Sequence, residues 1–244
     1  MIEHAATSMG MPVRIILRDS AATDADAAAV MELFEAIDQQ FSPYQTSSDV
    51  SVYNKTGTAS PELRAIFDEA ARTKRETLGY FDIQQPGGGI DPSGLVKGLA
   101  IQQAVELLQT RGLTDFQIDV GGDIALASPT EGATPWQIGI RNPFNKDEIV
   151  KVVSLANGGI ATSGTAERGN HIYDPHTAQA ATAIASITVV GPTIYDADRF
   201  ATAAFAMGKS GAGFIESLPL FEAYAIDHAG IATMTSGFHT YTKV

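Results

Sequence analysis

Four stretches of this 244-residue chain carry residue types that could do chemistry. GGGIDPSGLVKG, residues 87–98, leads glycines into Ser93 and Gly94 at a helix start, with Lys97 just inside. Backbone N–H groups at such a start attract phosphate, and Lys97 could reach the same anion. The G-x-x-x-x-G-K-[ST] spacing of a Walker A loop is absent, so a plain capped helix after a flexible turn is the alternative. DVGGDIAL, 119–126, sets two glycines between Asp119 and Asp123. They bring backbone close to a neighbouring strand or a ligand, or they make a tight turn between strands with Asp chosen for turn geometry. GGIATSGTAERGNHIYDP, 158–175, offers hydroxyls and small residues, then Glu167, Arg168, His171 and Asp174. His171 stands among glycines and charges rather than on an apolar face, which reads as a site or as a busy turn. In YDADRFATAAFAMG, 195–208, Asp198 and Thr202 are four apart and share one helix face. Their hard oxygens suit Mg2+, which takes few protein ligands and fills its shell with water and phosphate oxygens. The alternative is a helix-start acid followed by a packed threonine.

The whole chain narrows the choices. Its formal net charge is -12 and no run of Lys or Arg offsets it, which argues against nucleic acid and anionic membrane. A polyanionic ligand would need a metal cation or backbone donors. There are no cysteines, which excludes disulfides, thiolate catalysis, Cys-ligated zinc and lipid attachment through Cys. Hydrophobic content of 44% against 18% charged is that of a globular chain. The first residues carry Glu3, lack a basic segment and are broken by Arg14, so they do not read as a signal peptide. No apolar run reaches a membrane-spanning length of roughly 18 residues. These features lead to the expectation of a cytoplasmic protein without a membrane anchor.

The elements that must position these groups follow from periodicity and caps. Residues 12–18 read as a strand. A helix begins near Thr23, with Val30, Phe34, Ile37 and Phe41 at helical spacing. Residues 41–54 read as a loop. Ser60-Pro61-Glu62 starts a helix that should bury Leu63, Ile66, Phe67 and Ala70. After the break at 84–89, a helix from near Ser93 should bury Leu95, Leu99 and Leu108 and end at Gly112. Short strands follow at 116–120, 123–127, 136–141, 150–156, 185–191 and 222–227. A helix over 195–207, stopped by Gly208, separates the last two. Residues 234–242 read as a terminal hairpin with a Ser-Gly turn. Helices and strands are partly segregated without a βαβ rhythm, which predicts α+β with largely antiparallel sheet, as a single domain over 1–244.

In this order, the segments resemble one family, the FAD:protein FMN transferases of the ApbE type. The resemblance is carried by MG at 9–10, FSPYQTSSDVSVYN at 41–54, GYFD at 79–82, DPSGLVKG at 91–98 and DVGGDIAL at 119–126. IGIRNP at 138–143, ATSGTAERGNHIYDP at 161–175 and DADRFAT at 196–202 complete it, so that it covers nearly the whole chain. It implies an ApbE-like, T-fold-related architecture with a nucleotide cleft between two lobes. It implies an enzyme that uses Mg2+, takes FAD as substrate, transfers FMN to a Thr or Ser hydroxyl of an acceptor protein and releases AMP. By the same resemblance, Asp198 and Thr202 hold the metal with a backbone oxygen near Gly94. Asp91, Lys97 and the backbone around Tyr173 contact FAD, Met9 and Tyr44 line the flavin side, and His171 sits at the reaction centre. The chain departs from the family in four places. Only residues 83–90 fill a gap where many members carry a long insertion that embraces the flavin. Met11 replaces a usual Thr, Gln102 a common acid and Asp119 the usual Asn. Two further readings remain, a Mg2+-dependent FAD pyrophosphatase giving FMN and AMP, and a flavin- or nucleotide-binding protein without transfer activity.

Overall fold

The computed structural model describes residues 1–129, 134–165 and 172–242. The chain opens with strands β1 (Ile2–Ser8) and β2 (Met11–Leu17) and helices α1 (Asp24–Phe41), α2 (Asp49–Thr56), α3 (Pro61–Glu76) and α4 (Ser93–Thr110). Strands β3 (Phe116–Val120), β4 (Asp123–Ala127), β5 (Trp136–Asn142), β6 (Asn145–Leu155), β7 (Gly158–Gly164), β8 (Tyr173–Asp174), β9 (Gln179–Ala180) and β10 (Ser186–Gly191) follow. Helices α5 (Ile194–Ala206) and α6 (Gly211–Glu216) and strands β11 (Glu222–Ile226) and β12 (Ala232–Met234) close the order. Eight strands form one antiparallel sheet, ordered β1-β2-β3-β4-β7-β10-β11-β12, which does not close into a barrel among the described residues. This is the expected α+β, antiparallel architecture.

The sheet buries both faces because its strands alternate two apolar sets. Val13, Ile15 and Leu17 of β2, and Ala125 and Ala127 of β4, join Phe34, Leu95, Ile101 and Phe205 in a core beneath the helices. Ile16, Ile124, Leu126, Ile160 and Val190 face the other way, onto Trp136, Ile138, Ile140 and Val153 of the β5–β6 hairpin. Neighbouring side chains on a strand point to opposite faces, so one strand can serve both cores. Among the described residues, no helix is long and apolar enough to cross a membrane.

The helix ends match their caps. Thr23 donates its backbone N–H to Asp26 at 2.8 Å, and Ser60 Oγ accepts from the Leu63 N–H at 3.0 Å. Val30, Phe34, Ile37 and Phe41 are buried, as their spacing predicts, while Phe67 and Leu99 are only half-buried. Three expectations need correction. Residues 41–54 are not all loop, because Ser48 caps α2 and Val50 anchors it in the core. β1 was not expected; it pairs with β2 through the Met9–Gly10 turn, where both residues have positive φ. The expected terminal hairpin is a short β12 followed by a 3-10 turn at Phe238–Tyr241. There the Ser236 and Gly237 N–H groups are taken by the carboxylates of Glu216 and Glu222, and Phe238 is fully buried.

Helix α5 lies directly on β7 at Gly159. A Cβ on Gly159 would stand 2.3 Å from Ile194 Cα and 2.5 Å from its N. Gly159→Ala is therefore expected to push α5 off the sheet and destabilise the protein by about 3 kcal/mol or more. Chemical denaturation checks this, and a loss below ~1 kcal/mol would show that the contact gives way freely.

Candidate active site

A cleft of about 1090 Å³ opens at one end of the sheet. Two hairpin turns, the start of α4 and a turn of α5 meet there. Gly10, Gly121, Gly122, Gly94 and Thr202 all line it. Gly121 and Gly122 both have positive φ and close the β3–β4 hairpin between Val120 and Asp123. A Cβ on Gly121 would stand 2.9 Å from Met11 Sδ, so this glycine serves both the turn and a close approach. The double glycine of DVGGDIAL therefore makes the tight turn between strands and the close approach to the neighbouring strand β2 at Met11.

Three charged groups meet where Lys97 lines the cleft, with two buried aspartates behind it. The Lys97 ammonium contacts Asp123 Oδ2 and lies 3.2 Å from Asp198 Oδ1. Both aspartates are only 2% exposed. Asp123 Oδ1 also accepts the Thr162 N–H at 2.9 Å, so one side chain joins the β3–β4 hairpin, α4 and β7. Asp198 Oδ2 is buried without a hydrogen-bond partner. Burial pushes the Asp198 carboxyl up, Lys97 pulls it down and Asp123 pushes it up again. Two carboxylates around one ammonium leave negative charge in a poorly solvated place, which is costly without a further cation.

The donors around that charge fit Mg2+. Thr202 lines the cleft one turn along α5 from Asp198. A Cβ on Gly94 would lie 3.8 Å from Thr202 Oγ1, and one on Gly98 2.9 Å from Asp198 Oδ2. These glycines let α4 run close against the Asp198–Thr202 face of α5. Among the described residues there is no cluster of three or more His, Cys, Asp or Glu able to cage a metal alone.

α5 is held from behind by Arg199, which is 4% exposed. Its Nε and Nη2 donate to Asp196 Oδ1 at 2.8 and 2.6 Å, and Nη1 reaches Glu76 and the Thr73 hydroxyl on α3. This clamp was not foreseen, and neither was the role of Asp123. The only sequence signal for Asp123 is an acid directly before the apolar strand after the double glycine.

The other expected residues are distributed as follows. Asp91, just before the Pro92 N-cap of α4, accepts the Ser93 N–H at 2.9 Å, and it lines the cleft with Lys97 and Tyr173. Tyr173 directs its hydroxyl at the carbonyl oxygens of Asp82, 3.1 Å away, and Gln84. Burial and then Asp82 and Asp91 push its phenol up to about 12, so it stays a neutral donor. It thus fastens the short 83–90 loop, which Asn54 also grips through the N–H and C=O of Ile90 at 2.8 and 2.9 Å. Tyr44, 88% exposed, stands at the mouth. Met9 packs on the helix-side core, while Gly10 and Met11 line the cleft. His171 lies outside the described residues; Ile172 and Tyr173 line the cleft. Asp119, where the resemblance has Asn, lines the cleft and accepts the Gly122 N–H at 2.8 Å; burial raises its pKa.

Tyr173→Phe is expected to cost about 1 kcal/mol of stability and to loosen the 83–90 loop. Hydrogen exchange at residues 83–90 reads this directly, and unchanged exchange would show that Asn54 holds the loop alone.

The architecture defines a class. Over 100% of this chain and 99% of the other, it matches the crystal structure of the ApbE protein of Thermotoga maritima, with a TM-score of 0.89 at 21% identity. It matches the flavin transferase ApbE from Vibrio cholerae with a TM-score of 0.84 at 20% identity, over 98% of both chains. The ApbE family model matches residues 9–86 and 83–225, and the chain belongs to that family. Curated relatives include the FAD:protein FMN transferases of Klebsiella pneumoniae (strain 342), 27% identical over 65% of this chain, and Haemophilus influenzae, 29% identical over 63%. The chain spans about half the length of these relatives, 51% and 49%.

Proposed function

We propose that this chain is a Mg2+-dependent FAD:protein FMN transferase, which attaches FMN through a phosphoester to a Thr or Ser of an acceptor protein and releases AMP. The observation that carries the reading is the buried pair of carboxylates, Asp123 and Asp198, around the single ammonium of the cleft-lining Lys97, with the cleft-lining Thr202 one turn along α5 from Asp198. Family membership and the names of the relatives support it. Both cores share one sheet, so residues 1–244 are read as one catalytic unit.

Asp198, Thr202 and a backbone oxygen near Gly94 would hold Mg2+. The ion would neutralise pyrophosphate charge and polarise the phosphorus under attack. Lys97, which lines the cleft, would add a second positive charge to the phosphates. Asp91 and Tyr173 contact FAD, with Tyr44 and the turn at Met9–Gly10 on its flavin side. The acceptor hydroxyl oxygen forms a bond to the FMN phosphorus, the bond from that phosphorus to the bridging oxygen breaks, and AMP leaves with that oxygen. His171 serves this step, either taking the hydroxyl proton or orienting a phosphate oxygen.

The test is incubation with FAD, Mg2+ and lysate of the source cell. A fluorescent flavin band that survives a denaturing gel, with AMP released alongside, is expected. AMP released by water alone, with no band, identifies a pyrophosphatase. FAD binding with neither product identifies a binding protein and overturns the enzymatic reading.

A further inference from the structure

We propose that Asp123 is a positioning residue for the metal: it holds the Lys97 ammonium and so leaves the Asp198 carboxylate free to take the cation. This rests on the metal assignment of the transferase reading and adds the group that keeps that ligand available. Lys97 is the obstacle to any cation held by Asp198. Its Nζ lies 3.2 Å from Asp198 Oδ1, in a place where both aspartates are 2% exposed. An ammonium so close to a poorly solvated carboxylate competes with a metal for it, because charges interact most strongly where little water screens them. Lys97 and Asp198 alone would form a neutral pair and draw no further cation. Asp123 supplies the extra negative charge, setting two carboxylates against one ammonium.

Two observations give Lys97 to Asp123 rather than to Asp198. The contact of Lys97 with Asp123 Oδ2 is the shorter of the two. Asp123 is also fixed from its other side. Its Oδ1 accepts the Thr162 N–H at 2.9 Å, and the Thr162 hydroxyl is hydrogen-bonded in turn to the Thr188 hydroxyl at 2.8 Å. Asp123 itself stands opposite Val120 in the β3–β4 hairpin. The sheet therefore holds the carboxylate, and the carboxylate holds the lysine. Asp198 comes from a different element, α5, where Thr202 stands one turn further along and lines the cleft. Separating Lys97 from Asp198 gives up the longer contact and keeps the shorter one. Asp123 thus acts through Lys97, from outside the set of oxygens that would touch the ion.

The test is a Mn2+ titration of the FAD-free protein, followed by electron paramagnetic resonance, in the parent, Asp123→Asn, Lys97→Met and the double variant. Asparagine can still accept the Thr162 N–H, so the change removes the charge and keeps the tie to β7. Asp123→Asn is expected to weaken Mn2+ binding about tenfold or more, the usual scale for a group that supports a metal ligand. In the Lys97→Met background there is no ammonium to hold, and the same change is expected to alter affinity by less than about threefold. A residue that attracts the ion directly, or one that only stabilises the fold, would lower affinity by the same factor in both backgrounds, and that result would overturn the proposal. So would unchanged Mn2+ affinity in Asp123→Asn. If Asp123→Asn alone does not fold, the comparison of Lys97→Met with the double variant still decides, because a loss of about tenfold between them contradicts a role through Lys97. A parent chain that binds no Mn2+ without FAD overturns this proposal alone, since the transferase reading stands or falls on the labelling assay.

Discussion

Asp198→Asn is expected to lower Mg2+-dependent AMP release from FAD by about 10³-fold or more, because on the proposed function it would remove the buried carboxylate that holds the metal. The same change is expected to leave the metal-free protein no less stable than the parent. Asp198 is the second carboxylate beside Lys97, at 3.2 Å, while Asp123 makes the closer contact and stays to balance the ammonium. A group kept for folding would show the opposite, since breaking a satisfied buried pair costs about 3–5 kcal/mol. The pH dependence follows the same logic. Burial holds the folded-state carboxyl at about 7 against an ordinary 3.8. The folded protein therefore binds this proton more tightly than the unfolded chain. Metal-free stability should fall as pH rises between those two values, and this part of the slope should vanish in Asp198→Asn. Thermal melts across pH, without metal, read it. A variant that is inactive and also strongly destabilised would make Asp198 a structural residue.

Lys97→Met should do the reverse. It leaves Asp123 and Asp198 facing each other, both 2% exposed, without the ammonium between them. The metal-free variant is expected to lose about 3–5 kcal/mol of stability. Mg2+ should restore part of that loss, because a cation that binds only the folded state stabilises it by mass action. Turnover should fall about 10²-fold, since one preorganised charge on the phosphates is gone. Denaturant melts with and without Mg2+ measure both effects. If Lys97→Met were as stable as the parent without metal, the two carboxylates would not be balanced by Lys97 at all.

Much of this site was legible in the sequence, and the failures have physical causes. α1, α3 and α4 announce themselves through Thr23, Ser60 and Ser93 and through apolar residues at helical spacing. α2 does not, because eight residues with Val50 alone buried leave no apolar stripe to read. β1 is hidden because its half-exposed alternation of small residues gives little contrast. The Ser236–Gly237 turn was visible, but not that Glu216 and Glu222 would capture its amides. In the site, the i to i+4 spacing of Asp198 and Thr202 could be read directly, since one helix sets it. The contact of Lys97 with Asp123 could not, because it forms only when the β3–β4 hairpin folds against α4. Arg199 likewise reads as one more charge on α5 until α3 brings Glu76 to it.

The central claim is that Asp198 and Thr202 place a divalent cation at this cleft. A Mn2+ titration followed by electron paramagnetic resonance, in the presence of FAD, tests it most directly. The account predicts one tight site in the parent chain, lost in Asp198→Asn and weakened in Thr202→Val. Tight Mn2+ binding that survives both substitutions would contradict it.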